Sequence, residues 1–296
     1  MSVLEPITIT ALTLYPVKGC SGINVQSAHA FEQGLGVKLS SGKWLHDRQW
    51  MIVNAQGRFT SQREVPAMAA IKTSIIDNGI KLSFEGQDDL IVDYSAMLSN
   101  DQSRDVSVWS FKGKGLDAGP AAMAWLSKAL NRPAALVLFD NSAPRACKPL
   151  GSVAASTFFA DGFPYLVANE ESVNDLESRL REHYQDAYLT LPTNRFRPNI
   201  TLKGIAPYEE DLLETLEFPN ASIEMVLKCV RCSVPAVDQQ TGVIQAAAPT
   251  PLLDQFRFDS TLGGAVFAVN AVLKHAKLGK ASELKVGDKS SVNYAF

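Results

Sequence analysis

The sequence predicts an α+β fold that is predominantly β, and three observations lead to this prediction. Short runs rich in β-branched and aromatic residues, separated by turns that contain Gly, Asn or Asp, fill the first 118 residues. The residue pattern changes at Gly119-Pro120, and two later segments have apolar residues at helical intervals. Short strand-like runs return after Leu191-Pro192. We therefore predict two modules, a β-rich one at 1–118 that resembles a barrel or sandwich and a second one at 119–296 with a few helices and further short strands.

The strands of the first module are predicted from β propensity and turn chemistry. Residues 7–15 form the first predicted strand, and residues 49–53 and 58–60 form a hairpin around Asn54-Ala55-Gln56-Gly57. Further strands are predicted at 70–76, 80–84 and 106–109. No helix is predicted before residue 119.

Two helices are predicted in the second module. Pro120 suits the first turn of one helix, whose inner face would carry Met123, Leu126 and Leu130. Asn169 can cap the other helix, whose apolar residues recur at intervals of three and four: Val173, Leu176, Leu180 and Tyr184. Strands follow, among them 222–230, and residues 284–288 (LKVGD) form a predicted turn into a last strand.

Composition and charge exclude several classes of protein. Hydrophobic residues make up 46% and charged residues 20% of the chain, as in a folded globular protein. The net charge of −3 offers no global field for DNA or RNA, so no nucleic-acid partner is expected. No apolar stretch approaches the roughly 20 residues that cross a bilayer, so no membrane association is expected. A cytoplasmic protein with its four cysteines reduced is the simplest interpretation.

The pair Cys229-Val230-Arg231-Cys232 is the first candidate site, because thiolates bind soft or high-valent transition metals. A structural zinc site would need two more ligands, and no second close pair supplies them. A thioredoxin-like pair would open a helix, whereas β-branched and proline residues surround this one. If strand 222–230 continues regularly, Cys229 and Cys232 point to opposite faces and one is buried filler. On spacing alone, both could also be small core residues.

Compact polar clusters are the second kind of candidate. Lys18 follows Pro16-Val17, Arg48 stands beside Asp47, and two further clusters are 62–64 (QRE) and 195–199 (RFRPN). Each could be a solvated edge, or could hold a phosphate through Arg and Lys. Asn199 adds a donor and an acceptor for the edge of a heterocycle. The four histidines form no metal motif. The residues that follow the Gly-Leu-Gly and Gly-Lys-Gly segments do not match a dinucleotide-binding or Walker loop, so both segments are interpreted as turns.

Taken in order, these clusters resemble the signatures of the MOSC-domain family, close to the mitochondrial amidoxime-reducing components and their bacterial relatives. The resemblance spans nearly the whole chain. The matching segments of the first module are 15–22 (YPVKGCSG), 45–50 (LHDRQW) and 62–64 (QRE). Those of the second module are 194–200 (NRFRPNI), 231–232 (RC), 238–242 (DQQTG) and 286–288 (VGD).

The resemblance implies a barrel-containing fold with a molybdenum cofactor in the cleft between the modules. Cys232 matches the cysteine that ligates the metal, and Cys229 matches a nearby cysteine that does not. The positions that match cofactor-binding residues are Lys18, Gly19, Arg48, Arg197, Asn199, Val230 and Arg231, together with Cys232. Gly19 and Val230 stand where animal relatives have serine. Phe163 stands where hydroxyl residues are frequent, and it would narrow or reshape the pocket.

The reaction implied by the resemblance is the reduction of small N-hydroxylated compounds, such as amidoximes and hydroxylamines, to amines. The sequence has no signature of an iron–sulfur cluster or a flavin, so a separate reductase or ferredoxin-type protein would deliver the electrons. Two alternatives stay open. One is a sulfur-handling protein that carries a persulfide on Cys232. The other is a non-enzymatic carrier of the molybdenum cofactor.

Overall fold

The computed structural model of the protein describes residues 6–98, 103–142, 144–185, 190–276 and 282–294. Its strands in chain order are β1 (Ile7–Leu14), β2 (Val17–Lys18), β3 (Ile23–Val25), β4 (Ser27–Phe31), β5 (Gly34–Lys38), β6 (Trp44–His46), β7 (Trp50–Val53), β8 (Lys72–Ile76), β9 (Gly79–Ser83), β10 (Leu90–Asp93), β11 (Ser103–Val108), β12 (Phe111–Asp117), β13 (Ala135–Phe139), β14 (Tyr165–Asn169), β15 (Ile200–Lys203), β16 (Leu213–Glu217), β17 (Ala221–Val230), β18 (Phe258–Asp259), β19 (Gly264–Ala276), β20 (Glu283–Lys285) and β21 (Lys289–Tyr294). The α-helices are α1 (Tyr94–Leu98), α2 (Pro120–Leu130), α3 (Glu170–Tyr184) and α4 (Pro249–Phe256). Short 3-10 turns lie at Pro66–Ala70, Thr193–Arg195, Glu209–Leu212 and Val234–Ala236.

Seven strands close into a barrel in the order β14, β15, β1, β21, β16, β17 and β19, because β19 pairs back with β14. This barrel and the sheets around it confirm the predicted α+β fold that is predominantly β. β1 lies in the barrel although it belongs to the predicted first module. The division of the chain between residues 118 and 119 stays a prediction.

β1 shows how the sequence fits the barrel. Ile7 and Ile9 point into the core, and so do Leu12 and Leu14, although the spacing of two is broken between the two pairs. A register shift between Ile9 and Ala11 against β15 absorbs the extra residue. The bulge therefore returns the strand to the phase that buries both leucines.

Three smaller sheets pack around the barrel. A five-stranded sheet has the order β11, β12, β13, β7 and β2, a four-stranded sheet has the order β20, β4, β5 and β6, and a three-stranded sheet consists of β10, β9 and β8. In the five-stranded sheet, β2 runs parallel to β7, with Val17 opposite Trp50. The pairing sets Lys18 opposite Met51, and just before the two strands the Arg48 amide donates to the Tyr15 carbonyl at 2.7 Å. Lys18 and Arg48 are therefore both positioned by this strand pair.

Most predicted elements of the first module form, with two differences. The predicted hairpin turns at Asn54, whose N–H donates to the carbonyl of Arg58 at 2.9 Å. Residues 58–60 form no strand, however, and contribute two isolated bridges, Val53 with Phe59 and Arg58 with Ser107. A short helix, α1, occurs where none was predicted. Its single turn is too short to leave a helical period in the sequence.

Both predicted helices of the second module are confirmed. α3 begins after Asn169, whose side chain accepts a hydrogen bond from the Glu171 amide, as the capping prediction requires. α2 begins at Pro120 and buries Leu126 and Leu130, but Met123 is 39% exposed and Ala122 takes its place on the inner face. In the part of the chain that the structure describes, no helix is both long and apolar enough to span a bilayer.

Glu210 is a buried carboxyl group beside the start of α3. It accepts hydrogen bonds from Ser172 Oγ at 2.7 Å and from Asn169 Nδ2 at 3.3 Å. Burial raises the pKa of Glu210 to about 7, from an ordinary value of 4.5. The folded protein therefore holds this proton more tightly than the unfolded chain does.

We expect Glu210→Gln to flatten the pH dependence of stability. In the wild type, the contribution of Glu210 to the free energy of unfolding is largest below pH 4.5 and falls as the pH rises to about 7. Relative to the variant, whose amide does not titrate, the wild type should lose about 2–3 kcal/mol between about pH 4.5 and pH 8. Urea unfolding at both pH values measures this difference. Parallel profiles would contradict it, and Glu214→Gln, at an exposed position, is the control.

Candidate functional site

One cavity of about 470 Å³ contains all the residues that the sequence predicts for the site. Its walls come from the edge of the five-stranded sheet on one side and from barrel strands β14, β17 and β19 on the other. The predicted residues on these walls are Lys18, Gly19, Arg48, Arg197, Asn199, Val230, Arg231 and Cys232. The fold thus brings together residues that lie more than 200 positions apart in the chain.

Lys18 and Gly19 stand at the end of β2. The Lys18 ammonium lies 2.5 Å from Asp161 Oδ1 and 4.8 Å from the centroid of the Phe59 ring. Gly19 has a φ of +86°, and a Cβ at this position would lie 2.7 Å from Met68 Cε. The backbone conformation therefore favours glycine here, whereas the Met68 side chain could move aside for a Cβ.

Arg48 and Arg197 flank the ring of Tyr15, each with its guanidinium carbon 4.3 Å from the ring centroid. Arg48 Nη1 donates to Asp47 Oδ2 at 2.5 Å and to Asn199 Oδ1 at 3.0 Å, and Arg48 Nη2 donates to the Arg197 carbonyl at 3.1 Å. Asn199 also donates from Nδ2 to the Thr13 carbonyl at 3.2 Å. The Asn199 amide is thus used within the protein and orients Arg48.

Arg197 is held by the segment 238–242. Its Nη1 donates to Gln239 Oε1 at 2.8 Å, and its Nη2 donates to the Cys20 carbonyl at 2.7 Å. Gln239 in turn forms a reciprocal amide pair with Gln62, at 3.0 and 3.1 Å, and Gln62 donates to the Gly19 carbonyl at 2.8 Å. These contacts connect the segments 15–22, 62–64, 194–200 and 238–242.

Three residues on the cavity wall adopt left-handed backbone conformations without being glycine. The φ values are 47° for Arg48, 59° for Arg197 and 53° for Trp109. Such conformations cost about 1–3 kcal/mol each and are concentrated at functional sites. This backbone strain is consistent with a functional site, in which the three side chains must point in particular directions.

The cavity is electropositive. Its charged wall residues are Lys18, Arg48, Arg63, Arg197 and Arg231, against one carboxylate, Asp161. Burial lowers the pKa of both Lys18 and Arg197, because their positive charges are poorly solvated. An anion in the cavity would relieve this cost, and phosphate is the anion that arginine binds best.

The two cysteines of the 229–232 pair both line the cavity. The prediction that one of them is buried filler on the opposite face is wrong, because Cys229 is half-buried and Cys232 is exposed. The regular alternation that it assumed does not hold, since a register shift occurs between Lys228 and Val230 and the strand ends at Val230.

Arg231 distinguishes the environments of the two thiols. Its Nη1 lies 3.1 Å from Cys229 Sγ, and its Nη2 donates to the Phe196 carbonyl at 3.1 Å. Arg231 Nε is buried without a hydrogen-bond partner within the described ranges. No side-chain partner of the Cys232 thiol is observed in that part of the chain, where Thr250 contacts only its carbonyl, at 3.0 Å. Cys232 is therefore the thiol available to a ligand.

Several wall residues were not predicted, among them Phe59, Trp109 and Asn270. Trp109 was assigned to the end of a strand, and its real position in a turn between β11 and β12 leaves no pattern in the sequence. Phe163, which was predicted to shape the pocket, does line it. In the described part of the chain, no three His, Cys, Asp or Glu side chains are grouped to hold a metal ion.

The chain matches two family models, the MOSC N-terminal beta barrel domain over residues 7–133 and the MOSC domain over residues 155–290. It is 28% identical to mitochondrial amidoxime reducing component 2 of Bos taurus, over 95% of this chain and 82% of that protein. It is 29% identical to mitochondrial amidoxime-reducing component 1 of Homo sapiens, over 84% of this chain and 72% of that protein.

A second kind of relative is the molybdenum cofactor sulfurase of Oryza sativa, at 29% identity over 86% of this chain but only 31% of that protein. Among solved structures, the YUAD protein of Bacillus subtilis aligns with 99% of this chain and 97% of its own, with a TM-score of 0.44 and 11% identity, a similarity too loose to compare the sites. Together, the two family matches cover most of the sequence, one after the other. The chain therefore belongs to the family of proteins that combine a MOSC N-terminal domain with a MOSC domain.

Proposed function

We propose that this protein is a molybdenum-cofactor-dependent oxidoreductase that reduces N-hydroxylated compounds, such as amidoximes and hydroxylamines, to amines. The observation that carries the proposal is the exposed Cys232 thiol on the wall of a cavity with five cationic side chains and one carboxylate. The similarity to amidoxime-reducing components over 95% of the chain supports the reaction class.

The residues present fit such a cofactor. A molybdopterin brings its own sulfur ligands to the metal, so the protein needs to supply one further thiolate, and Cys232 is available for this role. Lys18, Arg48 and Arg197 would hold the phosphate and the pterin, and Asn199 would keep Arg48 in place. The buried Nε of Arg231, which has no partner in the described residues, is a donor that a bound cofactor would satisfy. Gly19 and Val230 would flank the cofactor without donating side-chain hydrogen bonds.

When bound, the molybdenum cofactor would supply a two-electron couple suited to oxygen-atom chemistry. The balanced reaction is R–NHOH + 2e⁻ + 2H⁺ → R–NH₂ + H₂O. The chain's own residues would bind and orient the reactants, with aromatic walls that include Phe59, Trp109 and Phe163 to limit the access of water. We propose that a separate reductase or ferredoxin-type protein delivers the electrons. The cytoplasmic location stays a prediction.

A sulfur-handling role is the second candidate, because the exposed Cys232 thiol could carry a persulfide and most of the chain is similar to part of a molybdenum cofactor sulfurase. A non-enzymatic carrier would bind the cofactor in the same cavity without turnover.

The test is to purify the protein from a host that makes the cofactor and to measure molybdenum, released pterin and labile sulfur, followed by reduction of benzamidoxime with a chemical electron donor. Near-stoichiometric molybdenum together with the formation of benzamidine supports the reductase. Labile sulfur without molybdenum supports sulfur handling, and bound cofactor without turnover supports a carrier.

A further inference from the structure

Trp109 occupies a position in which tryptophan is unexpected. It is the first of two residues that connect β11 to β12, where Val108 pairs with Phe111. In two-residue hairpin turns, a positive φ at this first position is normally adopted by glycine, asparagine or aspartate, but here Trp109 adopts a φ of 53° and is 52% exposed. The turn therefore places a large aromatic side chain in solvent, although its backbone conformation is unfavourable for tryptophan.

The Trp109 ring is held at the mouth of the cavity by three neighbours. Its Nε1 donates to Asp161 Oδ1 at 2.8 Å, its ring meets the Phe59 ring edge to face at 5.8 Å, and the Arg63 guanidinium carbon lies 4.8 Å from its centroid. Trp109 and Arg63 also line an adjoining cavity of about 500 Å³. They thus form the boundary between the candidate cofactor site and a second space that leads from it.

Arg63 is the cation at this boundary that is available to a ligand. In the adjoining cavity, Arg58 pairs with Glu64 at 3.2 Å. Asp161, the carboxylate nearest to the boundary, accepts from Lys18 and from Trp109. Within the described ranges, no carboxylate forms an ion pair with Arg63, and its side chain is exposed. An apolar ring next to an unpaired guanidinium favours a ligand that has an aromatic ring and an anionic group.

We propose that Trp109 and Arg63 form a substrate-recognition subsite that selects aromatic N-hydroxylated compounds bearing a carboxylate. The indole of Trp109 contacts the aromatic ring, and the guanidinium of Arg63 binds the carboxylate. The choice of substrate rests on the proposed reductase function, but the subsite itself is testable by binding without turnover.

The experiment compares the cofactor-loaded wild type with Arg63→Gln, Arg63→Lys and Arg58→Gln. Binding of 4-carboxybenzamidine, which is not reduced, is measured by calorimetry, and turnover is measured with benzamidoxime and 4-carboxybenzamidoxime. We expect Arg63→Gln to raise the Kd of 4-carboxybenzamidine and the KM of the carboxylated substrate about fivefold to tenfold, because one charge-assisted contact is lost. The KM of the carboxylated substrate should rise more than that of benzamidoxime, which reports any general effect of the lost charge on the cavity. Arg63→Lys should restore part of the binding, and Arg58→Gln should resemble the wild type.

Trp109→Gly tests the aromatic half of the subsite, because glycine accepts the positive φ of this turn. We expect the KM of both aromatic substrates to rise more than the KM of acetamidoxime, which has no aromatic ring. Equal effects of Arg63→Gln on charged and neutral substrates would overturn the proposal, and so would a loss of molybdenum from that variant, which would assign Arg63 to the cofactor. If no substrate is turned over, the proposed function fails, whereas binding of 4-carboxybenzamidine still decides the subsite.

Discussion

Cys232→Ser is expected to lose nearly all bound molybdenum, while Cys229→Ser keeps it. Only one protein thiolate is needed, and Cys232 presents an exposed thiol to the cavity. Cys229 is half-buried, packs against the cluster that contains Phe196 and Phe267, and lies 3.1 Å from Arg231 Nη1. Molybdenum per protein, measured by elemental analysis after gel filtration, should fall by at least about tenfold in Cys232→Ser, because a serine hydroxyl is a much poorer ligand for a soft or high-valent metal.

Thermal unfolding serves as the control for this pair of variants. Cys232→Ser changes an exposed side chain, so the apoprotein should keep its Tm to within a few degrees. Cys229→Ser should lower the Tm of the apoprotein more, since it places a hydroxyl group against an apolar cluster. Equal molybdenum loss in two well-folded variants would contradict the assignment of Cys232 as the metal ligand.

The second large effect is expected for Arg48→Ala and Arg197→Ala. Each variant removes a guanidinium from the cavity wall, and the loss of one charge-assisted hydrogen bond to the cofactor weakens binding by about 1.5–3 kcal/mol. Molybdenum and pterin that remain after extended dialysis are the measurement. Both variants should also lower the Tm, because Arg48→Ala leaves the buried Asp47 carboxylate without its ion pair and Arg197→Ala leaves the Cys20 carbonyl without the Arg197 donor.

Arg104→Ala is the matched control for the two cavity arginines. Arg104 is partly buried and pairs with Asp117 at 2.6 Å, and it does not line the cavity. Its replacement should lower the Tm without changing cofactor retention. If all three variants lose cofactor in proportion to the decrease in their Tm, cofactor retention depends on stability alone. In that case the cavity arginines do not hold the cofactor.

The sequence was most informative where local chemistry decides the structure. The Asn169 cap, the apolar period of α3 and the turn around Gly57 each depend on neighbouring residues, and each is confirmed. The signatures 15–22, 62–64, 194–200 and 238–242 led to residues that line one cavity or that support its walls.

What the sequence could not provide is the contact between distant segments. Nothing local predicts that Arg48 and Arg197 meet across the ring of Tyr15, because they come together through the pairing of β1 with β15 and of β2 with β7. The prediction for the cysteine pair was wrong for a related reason. A register shift depends on the partner strand, so the alternation counted along residues 222–232 did not reveal that Cys229 and Cys232 share a cavity.

The position of β1 has a consequence for biosynthesis. β1 pairs with β15, where Leu12 lies opposite Ile200, and with β21, where Ile7 lies opposite Ser290. The barrel therefore cannot close until nearly the whole chain has been synthesised. Pairings of such long sequence separation slow folding and leave strand edges open in the nascent chain. We therefore expect the cavity to mature after translation, and a fragment that begins after residue 118 to expose the edges of β15 and β21 and to aggregate.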